Sequence, residues 1–190
     1  MLISKFDITN IKEIIDEFEN THMFKFPPQY KNFLVTHNGG ETPKSKFKIN
    51  KISSDIKGFF GLGKAKEDFN YSFFEEFGGI SEFIKDDVIP IGMNIFGDYI
   101  MIGIHDDNFG KVYFYYHDQP KKYIELTEDF KTFVAKCKSE KIGHIKSIEE
   151  RKEMLMKSGN EENITADWIE VWQEEIDKYA NINQEKLILE

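Results

Sequence analysis

The sequence has little cysteine and little arginine, and each shortage excludes a class of protein. Cys137 is the only cysteine among 190 residues, so the chain can form neither an internal disulfide nor a zinc site with several cysteine ligands. Such usage is typical of a reducing compartment. Arg151 is the only arginine, and the net charge is -9. Because arginine is the preferred side chain for bidentate contacts with guanine and phosphate, the composition argues against nucleic-acid binding.

Long apolar runs are also missing. The nearest candidate for a membrane span, residues 88–104, is shorter than the roughly 20 residues required and contains Pro90, Asn94 and Asp98. The first residues lack the basic and apolar regions of a secretory leader. We therefore expect a cytoplasmic protein without a membrane-spanning segment. The content of 18 Phe, 8 Tyr and 2 Trp predicts an aromatic-rich core, and the length fits one domain with an appendage at most.

The charge is unevenly distributed along the chain. Residues 43–66 carry +6, whereas residues 67–118 carry -9. One interpretation is a set of solvated faces, since charge patterning serves solubility. The other is an acidic face that steers a basic protein partner.

Hydrophobic periodicity predicts two helices near the amino terminus. The first covers approximately residues 9–24, with Asp7 or Thr9 as its N-cap. Pro28 suits the first position of the second helix. Gly39 ends that helix, because glycine takes the left-handed C-terminal cap at little cost.

The middle of the chain is predicted to form strands, because apolar and polar residues alternate there. The predicted strands cover residues 47–49, 56–62, 88–91, 98–104 and 111–117. The last two are joined by a short connection and predict an antiparallel hairpin, while Pro90 suggests a strand end or a sheet edge. Residues 67–77 are predicted to form a helix or an irregular loop. Their phenylalanines, from Phe69 to Phe77, belong either to the core or to a hydrophobic binding site.

Three helices are predicted in the last third of the chain. Thr127 caps the first, whose buried face is Phe130, Phe133, Val134 and Cys137. Ser147 and Glu150 match a capping box for the second, and Thr165 caps the third. We therefore divide the chain into a domain of residues 1–138 and a helical extension of residues 139–190 packed on it. The stripe with Trp168 and Trp172 either packs on the domain or docks a partner or a second copy of the chain.

Catalytic and cofactor motifs are weak. Residues 58–64 have the glycine spacing and lysine of a phosphate-binding loop, but Ala65 stands where a magnesium-binding Ser or Thr belongs. A glycine-bent strand and turn is the better interpretation. His105 and His117, each beside an aspartate, suggest a metal site across the hairpin, but adjacent strand residues point to opposite faces. We therefore predict no catalytic residue, no cofactor and no metal.

Several segments together resemble the SUKH superfamily, which includes fungal cell-wall-assembly regulators and many bacterial immunity proteins. The residues of the first segment are similar to a family pattern of Leu-Pro, Tyr, Phe-Leu and Asn-Gly-Gly, with Phe26 in place of the leucine. The resemblance covers approximately residues 8–138 and says nothing about residues 139–190. The matching segments are residues 26–34, 38–40, 89–92, 97–98 and 110–118.

The resemblance implies an α+β fold, with helices packed on a mainly antiparallel β-sheet, and it implies binding rather than catalysis. No binding site carries over, because ligand surfaces vary among members. The matching residues are expected to be structural. They are Pro28, Tyr30, Asn38, Gly39, Gly40, Pro90, Gly97 and Gly110.

The first functional hypothesis is a cytoplasmic immunity protein that neutralises a protein toxin by binding it. An acidic face suits a basic toxin domain such as a nuclease, because complementary charge speeds the encounter. Carboxylates supply that charge and tyrosines supply aromatic anchors. The candidate partner-binding residues are Asp86, Asp87, Asp98, Asp106, Asp107, Tyr113 and Tyr115.

Two further hypotheses stay open. One is a regulatory scaffold that resembles the fungal members and binds proteins through the carboxy-terminal helices. The other is a nucleotide- or metal-dependent enzyme. In every case we expect no membrane contact, and either a monomer or a homodimer.

Overall fold

The computed structural model describes residues 1–76, 79–119 and 122–189. Within these ranges the chain forms seven α-helices and a nine-stranded sheet whose strand pairs are antiparallel. The predicted α+β fold with carboxy-terminal helices is therefore confirmed. The chain divides into two compact units. Unit 1 comprises Met1–Glu140 with Gln184–Glu190, and unit 2 comprises Lys141–Asn183.

The elements follow one another in a mixed order of strands and helices. The strands are β1 (Leu2–Lys5), β2 (Gly40–Ile49), β3 (Ile52–Phe59), β4 (Val88–Met93), β5 (Tyr99–Gly103), β6 (Val112–Tyr115), β7 (Tyr123–Thr127), β8 (Lys138–Ser139) and β9 (Glu185–Lys186). The helices are α1 (Ile11–His22), α2 (Pro28–His37), α3 (Ser72–Glu76), α4 (Ile80–Lys85), α5 (Phe130–Lys136), α6 (Ile148–Lys157) and α7 (Ala166–Ala180).

The sheet has the strand order β7-β6-β5-β4-β3-β2-β1-β9, with β8 also pairing to β2. The hairpin predicted for β5 and β6 is confirmed, with Tyr99 opposite Tyr115. Strand β3 starts at Ile52, earlier than predicted, because Asn50 takes a left-handed conformation (φ 55°) in the tight turn that places Ile49 opposite Ile52.

Helix α1 lies where its periodicity predicts, but its start differs from the prediction. The N-cap is Asn10, which has a left-handed backbone and no side-chain capping bond. Asp7 instead accepts a hydrogen bond from the backbone N–H of Thr9 at 2.7 Å, which forms a turn before the helix.

Helix α2 begins at Pro28 as predicted, but Asn38 rather than Gly39 caps its end. Asn38 is left-handed (φ 52°), and its N–H donates to the carbonyl of Leu34 at 2.8 Å. Gly39 has a different role. A Cβ there would lie 2.6 Å from the carbonyl oxygens of Phe59 and Phe60, so glycine allows the chain to pass close to the end of β3.

Pro90 was predicted at a strand end or sheet edge, and this was wrong. It lies within β4, between β3 and β5. Proline is tolerated there because β3 pairs only with Gly92 and Met93 of β4, so Pro90 has no strand partner on that side that would need its missing N–H. Its carbonyl accepts a hydrogen bond from the Tyr71 hydroxyl at 2.7 Å.

Helix α5 has the buried face that the sequence predicts, with a different cap. Asp129, not Thr127, is the N-cap and accepts from the N–H of Thr132 at 2.7 Å. Thr127 belongs to β7. Cys137 is 6% exposed, and burial raises the pKa of its thiol to about 12.

The core is one aromatic-rich cluster. Phe33 of α2 and Phe130 of α5 pack against Phe59, with ring centroids 5.4 and 5.6 Å away. The next residue, Phe60, contacts Tyr71 at 5.7 Å and Phe74 at 4.9 Å.

The described part of residues 67–77 belongs mainly to the core. Phe69, Tyr71 and Phe74 are buried, whereas Phe73 is 45% exposed. This segment combines a 3₁₀ helix at Glu67–Phe69 with the short helix α3. Phe77 lies outside the described residues.

Unit 2 pairs helices α6 and α7. The capping box of Ser147 and Glu150 and the cap at Thr165 form as predicted. The Arg151 guanidinium donates to Glu175 at 2.8 Å and lies over the Trp172 ring at 5.9 Å. The prediction that residues 139–190 pack on the domain stays a prediction. None of the described helices is long and apolar enough to cross a bilayer.

Candidate partner-binding surface

Three tyrosines form a row across one end of the sheet. Strands β5, β6 and β7 place Tyr99 opposite Tyr115 and Tyr115 opposite Tyr123. Their ring planes are nearly parallel, with centroids 6.3 and 5.3 Å apart. We call these residues the tyrosine row. Such cross-strand aromatic pairs stabilise a sheet and hold the rings in fixed positions.

Helix α4 covers part of this row. The ring of Phe83 stands almost perpendicular to Tyr99 and Tyr115, at 5.9 and 5.7 Å. At the end of the helix, Asp86 Oδ2 accepts a hydrogen bond from the hydroxyl of Tyr123 at 2.9 Å. The helix is therefore joined to β7, although the two residues are 37 positions apart.

A cleft of about 380 Å³ lies between α4 and the outer tyrosines. We call it the tyrosine cleft. Two carboxylates and one ammonium group are among its lining residues, so the lining is net negative. The lining residues are Gly79, Glu82, Phe83, Lys85, Asp86, Tyr115 and Tyr123.

The tyrosine hydroxyls in the cleft are held in their neutral form. Burial raises the pKa of Tyr123, and the hydrogen bond and charge of Asp86 raise it further. Burial also raises the pKa of Tyr115, with added effects from Asp86 and Glu82. In this form the Tyr123 hydroxyl donates to Asp86, and the Tyr115 hydroxyl keeps its proton as a hydrogen-bond donor.

A second acidic group lies at the turn between β5 and β6. The backbone carbonyl of Asp87 accepts hydrogen bonds from the Asn108 side chain at 2.9 Å and from the N–H of Ile104 at 3.0 Å. Asp87, Asp106 and Asp107 are exposed. The structure thus brings these three predicted residues to one turn, which we call the acidic turn.

Asp98 lies apart from both groups and is only 7% exposed. Its Oδ1 accepts hydrogen bonds from His117 Nδ1 at 2.8 Å and from the His117 N–H at 3.2 Å. Asn94 donates to Oδ2 at 3.0 Å. Burial alone would raise the pKa of Asp98, but the hydrogen bonds from His117 and Asn94 outweigh it and lower the pKa.

Tyr113 lies on the same face of β6 as Tyr115, because two residues separate equivalent positions on a strand. It is half-buried and stands opposite Glu125 on β7. Burial raises its pKa, and the charge of Glu125 adds to that effect. The predicted site residues therefore fall into the tyrosine cleft, the acidic turn and two separate positions, Asp98 and Tyr113.

Sequence reasoning missed several exposed or cleft-lining residues. Ile95 and Phe96 are 66% and 70% exposed on the turn before Asp98. The sequence did contain a signal for this exposure, because two large apolar residues stand directly before Gly97 in a predicted turn, where side chains are commonly exposed. Tyr123 was missed because it lies 37 positions from Asp86, its hydrogen-bond partner. The signal for Glu82 was its spacing of four residues from Asp86, which places both on one face of a helix.

Most of the residues in the matching segments lie in the core or in turns. Tyr30 is fully buried, and its hydroxyl bonds the Phe60 carbonyl at 3.3 Å and the Tyr71 hydroxyl at 3.2 Å. Gly97 and Gly110 have positive φ in turns. Gly40 begins β2 opposite Lys5.

The residues considered for phosphate or metal binding serve other contacts. Phe59, Phe60 and Leu62 lie in the core, and Lys64 forms an ion pair with Asp7 at 3.7 Å. Over the described residues, no group of three or more His, Cys, Asp or Glu side chains is placed to hold a metal ion.

The comparisons with known proteins agree with this architecture. No curated protein gives a significant match to the chain. Residues 12–136 match the sequence profile of the SMI1 / KNR4 family (SUKH-1). These residues span most of unit 1, from α1 to the end of α5, and more than half of the chain. The chain therefore belongs to the SMI1 / KNR4 family (SUKH-1).

Proposed function

We propose that this protein is an immunity protein that binds and neutralises a protein toxin without catalysis. The supporting observation is the gathering of carboxylates and half-buried tyrosines on unit 1, in a family whose members are immunity or regulatory proteins. Aromatic side chains held in place supply binding energy at low entropic cost, and the carboxylates supply electrostatic attraction.

A basic toxin domain is the partner that this charge favours. The acidic turn and the tyrosine cleft contribute Asp86, Asp87, Asp106 and Asp107, and complementary charge accelerates association. A standard interface needs only about 800 Å² from each partner. A nuclease fits well, because its cationic substrate channel would be occluded by an acidic surface. We place this binding in the cytoplasm, with the immunity protein as a monomer or homodimer.

A regulatory scaffold is the second candidate. It is supported by the exposed apolar side chains on α7, where Trp168 and Val171 are 52% and 51% exposed. In that case the partner would bind through unit 2 rather than through the acidic turn and the tyrosine cleft.

Co-expression tests the proposal directly. The product of the adjacent gene is expressed in a bacterium alone and together with this protein, and survivors are counted. Death alone, rescue together and co-purification are expected. If a toxic neighbour is neither bound nor counteracted, it is not the partner, and the toxins of competing strains are tested in the same way. Failure of every such toxin would contradict the proposal.

Charge reversal locates the interface. We expect lysine at Asp86, Asp87, Asp106 and Asp107 together to slow association with the toxin by about tenfold or more. The matched control reverses four exposed carboxylates of unit 2, at Glu161, Glu162, Glu170 and Glu174. The control should associate at the wild-type rate. If the unit 2 variant slows association and the unit 1 variant does not, the regulatory scaffold and its binding through unit 2 are favoured.

A further inference from the structure

We infer that the tyrosine cleft receives an arginine side chain of the partner protein. This inference rests on the proposed function, because it names the group of the partner that the same surface recognises. It is carried by the cavity, by the aromatic rings that line it and by the arrangement of the carboxylates around it.

The carboxylates are arranged on one side of the cleft. Glu82 and Asp86 are four residues apart on α4 and at its end, so they lie on the same helical face. Tyr123 donates to Oδ2 of Asp86, which leaves Oδ1 as an acceptor. Lys85 also lines the cleft, and the remaining charge is still negative. A buried or half-buried cation is therefore the favourable occupant.

The opposite side of the cleft is aromatic. Tyr115 and Tyr123 stack across β6 and β7, and β7 is the last strand at its end of the sheet. A cation within reach of a tyrosine face is attracted by the π-electrons of the ring. The volume of about 380 Å³ lies in the range of sites that enclose a small group.

Arginine fits this combination better than lysine. Its guanidinium is planar, so it stacks on a tyrosine while its edge N–H groups donate to carboxylates. It is also less strongly hydrated than an ammonium group, which lowers the cost of entering a half-buried cleft. The only arginine of this chain, Arg151, is already bonded to Glu175 in unit 2. The arginine in question therefore comes from another molecule.

The test uses the full chain and three small probes at millimolar concentration. The probes are the N-acetyl amides of arginine, lysine and citrulline, where citrulline is the uncharged analogue of arginine. The ring resonances of Tyr115 and Tyr123 are followed by NMR during each titration. We expect saturable shifts with the arginine probe, binding of the lysine probe weaker by about threefold or more, and no saturable shift with the citrulline probe.

The Glu82→Gln/Asp86→Asn variant tests the carboxylates. It keeps side-chain size and an acceptor for Tyr123, so the cleft should keep its shape. Its affinity for the arginine probe should fall by about fivefold or more. The matched control, Asp106→Asn/Asp107→Asn, removes the same charge from the acidic turn and should bind the probe like the wild type.

Equal binding of arginine and citrulline, or an unchanged affinity in the Glu82/Asp86 variant, would overturn this inference. Weaker binding of the arginine probe to the Asp106→Asn/Asp107→Asn control would also overturn it, because the attraction would then come from the general negative charge and not from the cleft. Toxin neutralisation is measured separately. Toxin neutralisation without binding of the arginine probe refutes the cleft assignment and leaves the proposed function standing. Binding of the arginine probe without neutralisation of any toxin refutes the proposed function and leaves the cleft assignment standing.

Discussion

Single buried polar residues hold the loops of unit 1 in place. Glu19 is 1% exposed, and its carboxylate accepts a hydrogen bond from the N–H of Phe26 at 2.9 Å. The same carboxylate accepts from Lys25 and Lys31, each at 3.0 Å. A buried charge is tolerated when it is paired and hydrogen-bonded in this way. Glu19 thereby fixes the connection between α1 and α2.

Asp98 gives a prediction about pH. Its pKa lies below the ordinary value of 3.8 in the folded protein, so the folded state binds this proton less readily than the unfolded state. The stabilisation is present above the unfolded pKa and is lost as the pH falls through the lower folded value. We therefore expect the free energy of unfolding to fall more steeply between about pH 5 and about pH 2 in the wild type than in Asp98→Asn.

Urea denaturation over a series of pH values measures this difference. Asp106→Asn, on an exposed turn, serves as the control and should keep the wild-type profile. Parallel profiles for the wild type and Asp98→Asn would show that the bonds to His117 and Asn94 do not favour the ionised form.

At the scale of elements, Asn38 connects the end of α2 to two other segments. Its side chain donates to the carbonyls of Asp7 and Leu62 and accepts from the N–H of Leu62, each at 2.8 Å. One residue thus ends the helix and also holds the chain before α1 and the chain after β3.

Substitution of Asn38 separates these two roles. Asn38→Gly keeps the left-handed conformation but loses three side-chain hydrogen bonds, two of them buried, and we expect a loss of about 2 kcal/mol in the free energy of unfolding. Asn38→Ala should lose about 1 kcal/mol more, because alanine is strained at positive φ. Chemical denaturation measures both. If Asn38→Gly has the same free energy of unfolding as the wild type, the side-chain hydrogen bonds contribute nothing to stability. If Asn38→Ala has the same free energy of unfolding as Asn38→Gly, the left-handed conformation contributes nothing.

At the scale of the whole molecule, residues 184–189 return to unit 1 after unit 2. Strand β9 pairs with β1, and Leu187 is 5% exposed. The Gln184 side chain donates to the Glu140 carbonyl at 3.3 Å, so a short linker can join the two ends. We expect unit 1 to remain folded when residues 141–183 are replaced by a glycine-serine linker.

Deletion of residues 141–190 should behave differently from that replacement. It also removes Leu187, and the burial of one leucine contributes about 2 kcal/mol. Thermal unfolding followed by circular dichroism compares the two variants, with Leu187→Ala in the full chain as the matched control. Loss of folding in the linker variant would show that unit 2 is needed for the core of unit 1.

Sequence patterns predicted the elements better than their ends. The helices at α2, α5, α6 and α7 and the hairpin of β5 and β6 follow from apolar spacing and turn residues, which act over a few positions. The cap at Asp129 was missed, since neighbouring Thr127 is also able to cap a helix. The start at Asn10 was missed because its side chain makes no capping bond. The place of Pro90 inside the sheet was missed because it depends on how far β3 pairs along β4, and these two strands are distant in sequence.

By itself the sequence determined which residues are apolar, where the chain turns and that residues 67–118 carry a net charge of -9. Its motifs also indicated the family. Only the tertiary structure decided that Tyr115 joins Tyr123 and Asp86 in one cleft, while Asp98 is buried beside His117. The reason is physical: local preferences act over a few residues, whereas strand order and register follow from burying the aromatic core. That burial sets which distant side chains meet.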